Sequence, residues 1–128
     1  MKKTLFFCLT LFACLLIWGC GGIGNKMETI KAEQARQLMD GSQPYILLDV
    51  RRREEYDEGH IKGAKLIPDF ELEQRAPQDL PDKHALIIVY CRTGRRSLAA
   101  AKFLAGQGYT QVKNMGGILN WPYGITKY

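Results

Sequence analysis

The sequence LIIVYCRTGRRSLAAAKFLA, residues 86–105, decides the fold of this chain. Its first five residues are apolar and mostly β-branched, which is typical of a strand buried on both faces of a sheet. The alanine-rich second half predicts a helix that packs close to that sheet. Gly94 lies between the two halves and gives the backbone the freedom for a tight turn. The stretch therefore predicts a strand–loop–helix unit, with Cys91 at the carboxyl end of the strand.

The remainder of the chain continues as strands that alternate with helices. Short apolar runs predict strands over residues 27–30, 46–50, 65–68, 86–90 and 112–115. Helices are expected over residues 31–39, 51–58, 69–75, 94–104 and 117–121, with Asp69 capping the third. This alternation is typical of a parallel sheet with right-handed crossovers. We therefore predict a single α/β domain built on an open parallel sheet flanked by helices.

The position of Cys91 indicates a reactive site. In open α/β sheets, ligands bind at the carboxyl ends of the strands. A helix N-terminus there presents free N–H groups and partial positive charge. Three arginines follow the cysteine within five residues, at positions 92, 95 and 96. These features favour a nucleophilic thiolate beside an anion site. The alternative is a buried, inert cysteine, which would need neither arginines nor a glycine around it.

Three motifs, in order along the chain, resemble those of single-domain rhodaneses, which are sulfurtransferases. The first reads LDVR at residues 48–51, EY at 55–56, GHIKGA at 59–64 and IP at 67–68. The second is the CRTGRR loop of residues 91–96. The third is NMGGI at residues 114–118, followed by Trp121. The resemblance covers nearly all of residues 28–122 and implies a rhodanese-like fold.

The resemblance also implies a two-step reaction at a catalytic Cys91. The thiolate takes the outer sulfur of an anionic donor such as thiosulfate, and cyanide or a thiol then removes that sulfur from the persulfide. This transient persulfide replaces any resident cofactor or metal. The residues expected to bind substrate are Arg92, Thr93, Gly94, Arg95 and Arg96, with Arg92 and Arg96 contacting the anion. Those expected to support the loop are Asp49 and Arg51, through an ion pair or hydrogen bonds, and Ser97. Ser97 would either hydrogen-bond the sulfur or cap the helix, and we favour the cap. His60 and Trp121 are expected to be structural.

The first residues have a different character. Lys2 and Lys3 precede an uncharged apolar run over residues 4–18, which is typical of a signal peptide. The run ends in Gly19-Cys20, which resembles the lipobox of bacterial lipoproteins, where the cysteine is lipidated after cleavage. We expect a signal peptide over residues 1–19, a lipidated Cys20 and tether over 20–27, and the rhodanese-like domain over 28–128. The domain would then lie outside the cytoplasm on a bacterial membrane, facing the periplasm in a Gram-negative cell. The alternative is an uncleaved N-terminal anchor.

The charge and cysteine content of the chain limit the kinds of molecule that the protein is expected to bind. The formal charge of +5 falls to +3 when Lys2 and Lys3 leave with the signal peptide, and basic residues are spread along the chain. This pattern does not favour nucleic acid. Of the four cysteines, Cys91 alone would remain a free thiol in the domain. An exported lone thiol is either buried or used. We expect a monomer whose sulfur acceptor is cyanide, a small thiol or a thioredoxin-like protein.

Other functions fit a similar fold. A phosphatase or arsenate reductase also needs a thiolate and an anion site. The resemblance links those activities to a loop one residue longer, with arginine at the place of Ser97 and histidine at that of Tyr90. A non-catalytic interaction module would usually lack the cysteine. A persulfide carrier that passes sulfur to one protein partner stays open, because the acceptor binds outside the motifs.

Overall fold

The computed structural model describes residues 27–128, so the predicted signal peptide, Cys20 and the tether up to Lys26 lie outside the described residues. Five strands are present in this range: β1 Met27–Thr29, β2 Tyr45–Asp49, β3 Lys65–Leu66, β4 Leu86–Cys91 and β5 Gln111–Gly117. Four α-helices accompany them: α1 Ala32–Asp40, α2 Arg53–Glu58, α3 Leu72–Asp79 and α4 Arg95–Gly106. The strands form one sheet in the order β1-β5-β4-β2-β3, and all neighbouring pairs are parallel.

Strand β4 lies at the centre of the sheet, and all six of its residues are buried. Because side chains alternate along a strand, Ile87 and Val89 pack into one cluster with residues of α3 and α4. Ile88 and Tyr90 point to the opposite face, into a second cluster that includes Ala35 of α1. Burial on both faces explains the unbroken apolar run. The predicted open parallel sheet flanked by helices is confirmed.

Two predicted helices differ in the structure. A 3-10 turn covers Asp69–Glu71, and α3 begins only at Leu72. The Asp69 carboxylate accepts a 2.9 Å hydrogen bond from the Phe70 N–H, so the predicted cap of a helix at this residue is wrong. The expected last helix is a 3-10 turn over Ile118–Asn120, because β5 continues to Gly117. Both errors arise where the chain turns immediately beside a strand end.

The C-terminal segment folds back onto the domain. His60 and Thr126 exchange two backbone hydrogen bonds of 2.8 Å, and the Trp121 indole N–H donates to the Gly124 carbonyl at 3.0 Å. Trp121 is buried in the second cluster, and the buried His60 ring stacks on Tyr56 with ring centroids 3.7 Å apart. Both side chains are buried, which is consistent with the structural roles predicted for His60 and Trp121. From Met27 to Tyr128, none of the helices has the length and apolar surface that crossing a bilayer requires.

Candidate active site

Cys91 lies where the strand–loop–helix unit places it, at the last residue of β4. Three residues, Arg92 to Gly94, separate it from the first turn of α4. The loop curls around the sulfur so that the Gly94 N–H donates to Cys91 Sγ over 3.0 Å. Cys91 is 1 % exposed, so the thiol lies at the bottom of the loop. A sulfur held in this way faces converging N–H groups at a helix N-terminus.

Glycine is required where the loop meets β5. Gly94 has a φ of 107°, in the left-handed region, and lies against the backbone of Gly116. A Cβ at Gly117 would overlap the carbonyl oxygen of Arg92 and lie 2.8 Å from the Cα of Thr93. The loop and the end of β5 therefore approach each other closely, backbone to backbone. The NMGGI motif is thus part of the wall that shapes the Cys91 loop.

Ser97 contacts the sulfur and does not cap the helix. The N-cap residue of α4 is Gly94, and Ser97 lies one turn inside, fully buried. Its hydroxyl oxygen is 3.4 Å from Cys91 Sγ, and it also lies within donating distance of the Gly94 and Gly116 carbonyls, at 3.1 and 3.3 Å. The predicted capping role is therefore wrong. The helix begins at Arg95, so the hydroxyl of the third helical residue points down to the sulfur.

The surroundings of Cys91 favour the thiolate. Burial, the largest single influence, acts to raise the pKa of Cys91, because it removes water from the charged form. Hydrogen bonds from the Ser97 hydroxyl and from the backbone N–H groups of Ser97, Gly94 and Thr93 act in the opposite direction. Together they outweigh burial, so the pKa of Cys91 lies below its ordinary value. A lowered pKa makes the sulfur available as a nucleophile near neutral pH.

Arg96 is engaged by another residue. Its guanidinium forms a two-point ion pair with Glu55 of α2, with both nitrogen–oxygen distances at 2.8 Å. The hydrogen bond from Arg96 is the main reason that the pKa of Glu55 falls to about 2. A bidentate pair fixes the orientation of both groups. Glu55 therefore engages both terminal nitrogens of Arg96, and the expected contact of Arg96 with a substrate anion stays a prediction.

The other loop residues face outward. Arg92, Thr93 and Arg95 are exposed, and among residues 27–128 neither arginine forms a salt bridge. The Arg92 carbonyl accepts a 3.3 Å hydrogen bond from the Leu119 N–H, which ties the loop to the segment after β5. The backbone N–H of Thr93 contributes to lowering the pKa of Cys91. The loop therefore carries two exposed positive charges that form no salt bridge within residues 27–128.

Asp49 and Arg51 form a buried ion pair next to the loop, as predicted. Asp49 pairs in register with Tyr90, the residue before the cysteine. Its carboxylate accepts hydrogen bonds of 2.7 to 3.1 Å from the Arg51 guanidinium, which also donates to the Gly59 carbonyl at 2.8 Å. Asp49 is fully buried and Arg51 is 5 % exposed. The pair thus fastens the end of β2 to the turn after α2.

The described residues contain no cluster of three or more His, Cys, Asp or Glu side chains placed to hold a metal ion. Glu55 is the main functional candidate that the sequence did not single out. It lies in the EY pair of the first motif, but its partner is 41 residues away. Only the resemblance, which joins both motifs to one site, carried a signal for it.

Comparison with known protein families matches residues 31–122 to the rhodanese-like domain. The thiosulfate sulfurtransferase PspE of Escherichia coli is 42 % identical over 71 residues, which cover 56 % of this chain and 68 % of PspE. A solved structure of an E. coli rhodanese with anions is 36 % identical, with a TM-score of 0.62; the match covers 66 % of this chain and all of that one. The human single-domain sulfurtransferase TSTD1 is 31 % identical, with a TM-score of 0.65 and coverage of 73 % and 93 %. Because the family match spans the loop and the strands that hold it, this chain belongs to the rhodanese-like domain family.

Proposed function

We propose that this protein is a sulfurtransferase that moves sulfane sulfur through a persulfide on Cys91. The observation that carries the proposal is the buried sulfur of Cys91, which accepts a hydrogen bond from the Gly94 N–H and lies 3.4 Å from the Ser97 hydroxyl oxygen. This arrangement stabilises negative charge on sulfur, and a persulfide is also an anionic sulfur species at neutral pH. The names of the related proteins PspE and TSTD1 support the same class of reaction.

In the proposed first step, the Cys91 thiolate attacks the outer sulfur of thiosulfate. A sulfur–sulfur bond forms to Cys91, the sulfur–sulfur bond of thiosulfate breaks, and sulfite leaves with the bonding electron pair. In the second step, cyanide or a thiolate attacks the outer sulfur of the persulfide. The Cys91 thiolate is then the leaving group, so the cycle needs no oxidant, metal or cofactor.

The exposed positive charges of the loop would attract the donor. Arg92 and Arg95 are exposed and form no ion pair within residues 27–128, so their charges would raise the local concentration of anions. The backbone N–H groups of Thr93 and Gly94 then meet the reacting sulfur atoms. In this assignment, the loop N–H groups stabilise the negative charge that develops on sulfur, and the arginine side chains attract the donor as it approaches.

The position of Ser97 disfavours the phosphatase and arsenate reductase alternatives. A buried serine hydroxyl, which lies against the sulfur, occupies the place where those activities would use an arginine. A serine cannot supply the fork of five N–H donors that binds a phosphate ester. Arg96, the nearest candidate for that role, is paired with Glu55.

The proposed function is tested by measuring thiocyanate from thiosulfate and cyanide with residues 26–128, beside the hydrolysis of a phosphate ester and the reduction of arsenate. We expect thiocyanate formation that is lost in Cys91→Ser, with no turnover of the other two substrates. Phosphate-ester hydrolysis or arsenate reduction that depends on Cys91, without thiocyanate formation, would contradict the proposal.

We also propose that the domain is held at a membrane surface outside the cytoplasm by a lipid on Cys20. Residues 1–20 support this, because a basic start, an apolar run and a terminal Gly-Cys follow each other there. Labelled fatty acid should enter the full chain and be lost in Cys20→Ser, while Cys14→Ser keeps the label. A Cys20→Ser protein that retains the label and the membrane fraction would contradict this assignment.

A further inference from the structure

The ion pair between Glu55 and Arg96 is built to be rigid. The two side chains are only 26 % and 29 % exposed, and both guanidinium nitrogens of the pair meet separate carboxylate oxygens. Glu55 is held from a second side, because its Oε2 accepts a 2.9 Å hydrogen bond from the Arg52 N–H. The pKa of Glu55 is lowered to about 2, mainly by the hydrogen bond from Arg96, so the carboxylate is charged near neutral pH.

This pair changes the charge that a ligand meets at the loop. Three arginines lie within five residues of Cys91, but only Arg92 and Arg95 are exposed without a salt-bridge partner among residues 27–128. Arg96 lies in the first turn of α4, close enough to Cys91 for their charges to interact. The carboxylate of Glu55 pairs with this positive charge and offsets it.

We propose that Glu55 is a specificity-determining residue. By neutralising Arg96, it weakens the attraction of the Cys91 loop for anionic reactants, and this weakening grows with the negative charge of the reactant. This inference rests on the proposed function for its meaning in catalysis. Thiosulfate and sulfite are both anions, so any positive charge that tightens the donor also tightens the product. A carboxylate that reduces this charge weakens both and allows sulfite to leave.

Alkylation of Cys91 tests the inference without any sulfur transfer. Iodoacetamide is neutral and iodoacetate carries one negative charge, and each forms a sulfur–carbon bond as iodide leaves. The ratio of their rate constants cancels changes in the thiolate fraction, so it reports the electrostatic potential at the sulfur. The variant is Glu55→Gln, which keeps an oxygen acceptor and removes the charge. The matched control is Asp57→Asn, on the opposite side of α2, whose carboxylate pairs only at 4.0 Å with Arg53 and is exposed.

In Glu55→Gln, we expect the iodoacetate-to-iodoacetamide ratio to rise about threefold at low salt, and the rise to shrink as salt is added. Asp57→Asn and the charge-conserving Glu55→Asp should keep the wild-type ratio. The KM for thiosulfate, a dianion, should fall roughly tenfold in Glu55→Gln, because the interaction energy scales with donor charge. Inhibition by sulfite should strengthen in parallel.

The double variant Glu55→Gln/Arg96→Gln removes one charge of each sign and keeps the test decisive if the single variant does not fold. Neutralisation by Glu55 predicts an alkylation ratio within about twofold of wild type. A several-fold fall of this ratio in the double variant would overturn the inference, because Arg96 would then bind the anion directly. An unchanged ratio in folded Glu55→Gln would overturn it as well. A wild-type protein that gains no sulfur from thiosulfate would reject the proposed function, while the alkylation ratios would still decide the role of Glu55.

Discussion

Replacing Ser97 by alanine isolates the effect of one hydroxyl on the Cys91 thiolate. The hydroxyl oxygen lies 3.4 Å from the sulfur in a fully buried position. Alanine removes only this oxygen and leaves the hydrogen bond from the Gly94 N–H to the sulfur in place. Since the hydroxyl acts to lower the pKa of Cys91, its removal should raise that pKa and reduce the thiolate fraction at neutral pH.

The magnitude follows from what the hydroxyl does in each protonation state. A hydrogen bond to a charged group contributes about 1.5–3 kcal/mol, and about 1.4 kcal/mol corresponds to one pKa unit. When Cys91 is a neutral thiol, the hydroxyl can donate instead to the carbonyls of Gly94 or Gly116, at 3.1 and 3.3 Å. Only the difference between these bonds favours the thiolate. The distance of 3.4 Å is long for a hydrogen bond, so the contribution of the hydroxyl lies at the weak end of the ~1.5–3 kcal/mol range. We therefore expect the pKa to rise by about one unit.

The assay is the pH dependence of iodoacetamide alkylation at Cys91, followed by intact-mass spectrometry. Its midpoint should move to higher pH by about one unit in Ser97→Ala. Ser42→Ala, which removes an exposed hydroxyl from the connection between α1 and β2, should leave the midpoint in place. An unchanged midpoint in Ser97→Ala, with the fold verified by thermal unfolding, would refute the role assigned to the hydroxyl.

Three further changes test the surroundings of the loop. Gly117→Ala should destabilise the fold by roughly 1–3 kcal/mol and slow Cys91 alkylation, because its methyl would overlap a loop carbonyl. The control Gly106→Ala, at the last residue of α4, adds a methyl in open space and should change stability by no more than about 0.5 kcal/mol. Equal urea midpoints for the two variants would contradict this. Asp49→Asn should lower the free energy of unfolding by about 3–5 kcal/mol, because it leaves a buried guanidinium without its counter-charge; a loss below about 1 kcal/mol would contradict that. Glu55 has a pKa lowered from 4.5 to about 2, so its stabilising effect is complete above about pH 4.5 and is lost as pH falls to about 2. Urea unfolding of Glu55→Gln should therefore show a weaker fall in stability across that acidic window, and a parallel fall would contradict the assignment.

The fold could be predicted from the sequence because the hydrophobic pattern of the strands and helices matches their burial in the parallel sheet. The run at residues 86–90 is buried on both faces, the alanines at 100 and 101 pack against the sheet, and Gly94 makes the turn between them. Asp49 and Arg51 were identified through their motif and are close in the chain, so no long-range information was needed. Errors at Asp69 and at residues 117–121 came from turns that continue directly from a strand.

The side-chain roles in the site were harder to predict, because they depend on where each residue falls on a helix and on distant partners. Ser97 lies one turn inside α4, where its hydroxyl contacts the sulfur of Cys91 instead of capping the helix. The role of Arg96 is set by Glu55, which α2 brings to it from 41 residues away. Local spacing holds no information about such a pair. The loop sequence alone therefore suggested three available arginines where the structure leaves two.

The central proposal, that Cys91 carries sulfane sulfur, is tested most directly by intact-mass spectrometry of residues 26–128 before and after incubation with thiosulfate. We predict the gain of one sulfur atom on Cys91, its loss when cyanide is added with formation of thiocyanate, and neither change in Cys91→Ser. Reduced, folded protein that alkylates at Cys91 but gains no sulfur from thiosulfate would contradict the proposal.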